Sequence, residues 1–160
     1  MISLRKYNEK DALVITGWIK DERSFRLWCA DRFPHFPLSA KEFDSVYSAN
    51  SGLTGMVAED DGILMGHLFI QNIGERKFKF GLIIVDGEKR GRGYGKSMLE
   101  AALGYAKTSL GADSVILNAF DTNPAAYGCY KSLGFSETGK VQQFAFFGET
   151  HNYIELEYRF

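Results

Sequence analysis

Apolar and polar residues alternate from Ile2 to Tyr7, and that period of two predicts a first strand. The pattern then changes. Ala12, Leu13, Ile15, Trp18 and Ile19 recur at the spacing of one helical face, with Asn8 ahead of them as a cap. Phe25, Leu27 and Trp28 mark a second helical segment around Ser24–Asp31, which stops before Pro34 and Pro37. Ser39-Ala40-Lys41-Glu42 is a capping-box signature and opens a helix through about Ser48. Beyond it, Leu53–Glu59 and Ile63–Ile70 are strand-like runs joined by the hairpin turn Asp60-Asp61-Gly62. After a further turn at Asn72-Ile73-Gly74-Glu75, Phe78–Val85 forms a third run that ends at Asp86-Gly87.

From Gly93 onward, Met98, Leu99, Ala102, Ala106 and Leu110 lie at helical spacing, and Gly111 closes that helix. Ser114–Phe120 reads as a short strand. Asp121-Thr122-Asn123-Pro124 then supplies an N-cap and a proline in the first turn of a helix that runs to Leu133 and ends at Gly134. Phe135–Phe160 reads as two strands around Gly148-Glu149. The order is strand, helices, three strands, helix, strand, helix, two strands, which predicts a mixed sheet with helices on its faces. No repeat, low-complexity stretch or linker interrupts it, so residues 1–160 are expected to form one domain.

Composition acts mainly by exclusion. At 160 residues, 45% hydrophobic and 24% charged, the chain has the balance of a globular protein with a sizeable core. A formal net charge of −1 argues against a nucleic-acid partner, whose footprint is a basic excess. Cys29 and Cys129 lack CxxC or Cys/His spacing, so neither a disulfide framework nor a metal site is expected. The start, MISLRKYNEKD, lacks the apolar run of a signal peptide, and no stretch nears the roughly 18 apolar residues of a membrane span. A cytoplasmic location without membrane association is the expectation. Charge is nevertheless uneven: Lys77, Lys79, Lys89, Arg90, Arg92 and Lys96 crowd into the window 77–96. Such a run is a solvated face unless a ligand gives it a purpose.

The purpose is suggested by Gly91-Arg92-Gly93-Tyr94-Gly95-Lys96-Ser97. Its GKS ending invites a nucleoside-triphosphate loop, but that pattern needs glycine at position 90, which is Arg90. The dinucleotide pattern G-x-G-x-x-G fails as well, because Gly93-x-Gly95 is followed by Ser97 and Met98. What remains is a glycine-rich turn between a strand ending at Val85 and a helix starting near Gly93. Glycines let backbone N–H groups approach an anion, and the positive end of a helix favours phosphate there. Arg90, Arg92 and Lys96 add countercharge. The loop alone is compatible with a phosphate-bearing ligand and with a turn kept small for packing.

Read from Arg90, the loop is R-x-x-G-x-G, and with it the chain resembles the GNAT superfamily of acyl-CoA-dependent N-acetyltransferases. A second segment agrees. Asn123-Pro124-Ala125-Ala126-Tyr127-Gly128-Cys129-Tyr130-Lys131-Ser132-Leu133-Gly134-Phe135 is similar to the family's N-x-x-A…Y-x-x-x-G-F motif and starts 28 residues after Gly95. The resemblance covers about Leu53 to Thr138. It implies an α+β fold with a central, mostly antiparallel sheet of about seven strands flanked by helices. It also implies direct acetyl transfer from acetyl-CoA to a primary amine in a ternary complex, the acceptor being a small-molecule amine or a peptide N-terminus. The Trp- and Phe-rich helical segment and Gly93-Tyr94-Gly95 resemble the branch that modifies ribosomal-protein N-termini. Homodimers are common in the family. A non-catalytic acyl-CoA-binding or regulatory module is the alternative that would keep the loop without the chemistry.

The resemblance also distributes roles. Arg90, Gly91, Arg92, Gly93, Tyr94, Gly95, Lys96 and Ser97 fall on the coenzyme A pyrophosphate, and the backbone of Ile83 and Val85 on the pantetheine arm, in the manner of an added strand. Asn123 matches a residue that contacts the pantetheine amides, beside its role as a helix cap. Tyr130 matches the tyrosine that faces the thioester sulfur, where an O–H can protonate the departing thiolate. No metal is implied.

Other residues read more plainly. Cys129 shares a helix face with Ala125 and Leu133 and is expected as a buried apolar residue, not a nucleophile. Some relatives carry a glutamate on the strand before the glycine loop. Phe78–Val85 has no carboxylate, so the general base is unassigned. Asp121 and Glu59 are candidates, each also readable as a solvated turn residue. His67 and His151 are expected to be structural. Phe144, Phe146, Phe147 and Tyr153 are expected first as a core face, with some lining an acceptor pocket.

Overall fold

The computed structural model describes residues 1–160, built around one seven-stranded sheet of order β1-β2-β3-β4-β5-β7-β6. The strands are β1 (Ile2–Lys6), β2 (Leu53–Asp60), β3 (Ile63–Gly74), β4 (Lys77–Val85), β5 (Ser114–Phe120), β6 (Ser136–Phe146) and β7 (Glu149–Arg159). Every neighbouring pair is antiparallel except β4 and β5. Those two run parallel because helix α4 (Tyr94–Leu110) makes the crossover between them. The mostly antiparallel α+β arrangement therefore matches the expectation.

The short helices follow their caps. Asn8 and Asp11 form a reciprocal capping box, but around the 3₁₀ turn Glu9–Asp11, so that α1 (Ala12–Gly17) begins only afterwards. Helix α2 spans Glu22–Cys29, because Asp21 Oδ1 accepts from the Ser24 amide at 2.8 Å. Ser39 caps α3 (Ala40–Asp44) as predicted, and the remaining length to Tyr47 is a 3₁₀ turn. Helix α5 (Pro124–Leu133) starts at Asn123 and stops at Gly134, whose φ of 106° suits glycine.

The sheet has a core on each side. Helices α4 and α5 bury Met98, Leu99, Ala102, Tyr130 and Phe135 against one face. Helices α1–α3 bury Ile15, Phe25, Cys29 and Phe43 against the other. Strand β4 changes sides midway: Phe78 and Phe80 point to the α4/α5 core, whereas Leu82 and Ile84 point to the α1–α3 core. The cause is a bulge. Phe69 lies opposite Gly81 and His67 opposite Ile84, so β4 carries one residue more than β3 over that stretch. One inserted residue turns every later side chain to the opposite face. Leu82 takes up the distortion with φ of 47°, a region that costs a branched side chain of order 1 kcal/mol or more. Gly81 is needed beside it, since a Cβ there would overlap the buried ring of Phe69.

His67 holds the bulge. It is fully buried, and its Nδ1–H donates to the Leu82 carbonyl at 3.0 Å while Nε2 accepts from the Tyr47 hydroxyl. Burial lowers its pKa to about 4, so the imidazole is neutral in the folded protein. The unfolded chain, with an ordinary histidine value near 6.5, binds the proton more readily. Stability contributed by neutral His67 is therefore complete above about pH 6.5 and is lost as pH falls toward about 4, by on the order of 3 kcal/mol. Asp11 titrates lower still, burial there being outweighed by the hydrogen bonds from Arg5. Thermal melts between pH 4 and 7 should show this slope for the wild type. His67→Asn keeps a donor for Leu82 and cannot take the charge, so it should flatten the slope; an unchanged slope would assign it to other groups.

Candidate active site

One seam of the sheet is incomplete. Strands β4 and β5 pair only through Lys77–Ser114, Phe78–Val115 and Lys79–Ile116. Beyond that point they diverge, and the bulge of β4 lies where they do. The gap is a cleft of about 280 Å³ with Phe80–Val85 on one wall and Asn118–Phe120 on the other. It joins both faces of the sheet: Leu99, Cys129 and Tyr130 reach it from α4 and α5, and Leu27 and Trp28 reach it from α2. Two ligands could therefore approach one point from opposite sides.

The glycine loop stands at the mouth of this cleft. Gly91 and Gly93 have φ of 78° and 79°, which only glycine adopts without strain. Gly93 is the N-cap of α4, supplies no side chain to cap it, and no acidic residue follows in the first turn. The leading N–H groups of a 17-residue helix are thus left for an anion, with the helix dipole behind them. Arg90 and Gly95 line the cleft, while Gly91, Arg92, Gly93, Lys96 and Ser97 are exposed around its rim. Tyr94 is turned another way: its hydroxyl donates to Asp60 at 3.3 Å and ties the helix start to β2.

Ile83, Val85, Asn123 and Tyr130 all line the cleft, as the motif reading expected of one site. Asn123 Oδ1 accepts from the Ala126 amide at 3.5 Å, a long bond that fixes the start of α5 only loosely. Tyr130 is 6% exposed, and burial raises its hydroxyl above the ordinary tyrosine range, so it stays protonated. Its hydroxyl has no partner within the protein, yet it is not among the sealed polar atoms without one. A proton donor therefore faces the cleft unengaged.

Other expectations need correcting. Cys129 packs against the α4/α5 core as an apolar residue, but it is half-buried instead of buried because it also borders the cleft. Burial raises its thiol, which agrees with its exclusion as a nucleophile. Neither carboxylate candidate reaches the cleft. Glu59 accepts from Arg5 Nε at 2.8 Å, and Asp121 accepts from the Asn152 amide and side chain at 3.0 and 2.9 Å. The cleft lining contains no carboxylate at all. His67 serves the bulge, and His151 is buried with Nδ1 2.7 Å from the Thr122 hydroxyl. Of the four C-terminal aromatics only Tyr153 lines the cleft, its ring 4.5 Å from that of Phe120. Phe144 and Phe146 stack half-buried on the same cluster, whereas Phe147 sits in the hairpin turn with φ of 56° and is exposed.

Sequence reasoning missed Trp18, Trp28 and Asn118. For Trp28 the advance signal was the Trp- and Phe-rich helical segment, where α2 buries Phe25 and Cys29 and leaves Leu27 and Trp28 half-buried on another side. Trp18, at the end of α1, and Asn118, in β5, carried none of their own. No group of three or more His, Cys, Asp or Glu side chains is placed to hold a metal ion. No helix is long and apolar enough to cross a membrane.

A sheet opened between two parallel strands, with an uncapped glycine-loop helix at the opening, has the room and the free N–H groups that a phosphate-bearing ligand needs. The profile of the acetyltransferase (GNAT) family matches residues 17–135, and the chain belongs to that family. Its solved relatives include the spermidine N-acetyltransferase of Vibrio cholerae in complex with CoA and spermine, with a TM-score of 0.82 and 24% identity over 99% of this chain and 95% of that one. Mutant forms of the spermidine/spermine N-acetyltransferase of the same organism give a TM-score of 0.78 at 22% identity, with the same coverage. At such identities the likeness speaks for the fold. The curated relative N-acetyltransferase 8B of Homo sapiens is 33% identical over 66 residues, which are 41% of this chain and 29% of that protein.

Proposed function

We propose that the chain works as one domain over residues 1–160 and transfers an acetyl group from acetyl-CoA to an amine bound in the same cleft. The observation that carries this reading is the β4–β5 opening, which brings the glycine-loop mouth and the protonated Tyr130 together. The residues present suit the coenzyme. Arg90, the open start of α4 and the glycines at Gly91 and Gly93 would receive its pyrophosphate. The β4 edge at Ile83 and Val85, lacking a partner strand, would receive its amide-bearing arm. When bound, acetyl-CoA supplies an activated acyl group whose thiolate must leave. Tyr130, which burial keeps protonated, would hydrogen-bond to that thiolate and pass it a proton as it leaves, regaining one from water before the next turnover.

The amine must lose its own proton, and the lining offers no carboxylate to take it. The proton is therefore expected to leave through water. In a pH profile, kcat/KM should climb until the pKa of the amine itself, with no break from an enzyme carboxylate or from Tyr130 between about pH 5 and 9. A break that stayed fixed when amines of different pKa were used would reveal a base on the protein.

Acetyl-CoA should raise the melting temperature far more than ATP does; equal or absent shifts would sink the coenzyme assignment. Arg90→Ala should weaken acetyl-CoA binding by about 10-fold or more, the loss of one charged contact, with kcat at saturation little changed. Unaltered affinity would remove Arg90 from the site.

A further inference from the structure

The two sides of the cleft differ in chemistry. On the α4/α5 side stands the glycine loop with its cations. On the α1–α2 side the wall is Trp18, Ile19, Leu27, Trp28, Phe120 and Tyr153. Arg90 is the only charged residue of the entire lining. Trp28 is held in place by stacking on Phe33 and Phe43, with ring centroids 5.8 and 6.0 Å away. Its Nε1–H is buried and has no partner in the protein. Asp21, Asp86 and Glu88 lie outside the cleft, in an adjoining cavity that shares only Trp18, Ser24 and Arg90 with it.

From this wall, and resting on the acetyl-transfer reading, we infer that the acceptor is a monoamine attached to an aromatic body. Flat rings in the wall stack on such a body and attract its single ammonium group through their faces. A polyamine is disfavoured for the converse reason. Each further ammonium group carried into the cleft loses water and meets no carboxylate, and an unpaired buried charge is costly. The family relationship leaves this choice open; the lining makes it.

The test compares tryptamine with spermidine at saturating acetyl-CoA, following free thiol and the acetylated amine. Tryptamine should show kcat/KM at least about 10-fold higher, the scale of one well-filled apolar subsite. Trp18→Ala should raise KM for tryptamine several-fold and leave KM for acetyl-CoA unchanged. Leu27→Glu, which adds a carboxylate at a half-buried wall position, should shift the preference toward spermidine. It supplies a second arm if loss of a tryptophan impairs folding. Acetylation of spermidine in preference to tryptamine would overturn this inference and leave acetyl transfer intact. Acetyl-CoA binding with neither amine acetylated would overturn this inference, and failure across a wider panel of amines and peptide N-termini would overturn acetyl transfer as well. An unchanged preference in both variants would show that this wall does not select the acceptor.

Discussion

Tyr130→Phe is expected to lower kcat by about 100-fold or more, the usual range for a lost proton donor, while acetyl-CoA affinity stays within about twofold. The substitution removes one oxygen from a buried ring that packs on Phe135 and makes no internal hydrogen bond. Nothing in the fold is left unsatisfied, so the melting temperature should barely move. A thiol leaving group departs more slowly as the free thiolate, and the deficit should therefore shrink with an acyl donor whose thiol is more acidic. Steady-state kinetics with isothermal titration of acetyl-CoA separates the two effects. Full activity in Tyr130→Phe would leave the hydroxyl as a packing group only.

His67→Leu is expected to be the most damaging change outside the cleft lining. Leucine fills the space but strands the Leu82 carbonyl and the Tyr47 hydroxyl, both presently bonded to the imidazole. Each abandoned polar group costs about 1–3 kcal/mol, so denaturant unfolding should report a loss of about 2–5 kcal/mol. The consequence reaches the site because Leu82 is the bulge residue and lines the cleft. KM for acetyl-CoA should rise in whatever fraction remains folded, since the freed β4 edge is no longer held apart from β5. His67→Asn, retaining a donor, should recover a good part of both. Stability within about 0.5 kcal/mol of wild type in His67→Leu would show that the bulge holds without its histidine.

The element order and the glycine loop were legible because both rest on local signals. Period-two runs, Asn123-Pro124 and the glycines at Gly111 and Gly134 each act within a few residues of where they stand. The start of α2 was legible too, through Asp21, but its helical apolar residues drew attention to Ser24 instead. The cleft was not legible, and the reason is register. Nothing within Phe78–Val85 announces that Leu82 is surplus; that depends on which residue of β3 each position meets. Gly81 hints at it, but only once Phe69 is known to lie opposite. The base candidates failed for a similar reason. Glu59 and Asp121 both find partners distant in sequence, Arg5 and Asn152, and are spent there. The aromatic wall gathers residues from α1–α2, β5 and β7, which no spacing rule links.

Acetyl transfer in the β4–β5 cleft is tested most directly by incubating the purified protein with acetyl-CoA and a panel of amines, and measuring free thiol and N-acetylated product together. The expected result is thiol release that depends on the amine, equals the acetylated product in amount, and collapses in Tyr130→Phe. Acetyl-CoA that stabilises the protein yet yields no amine-dependent thiol with any member of the panel would contradict it, and would make the cleft a binding site without chemistry.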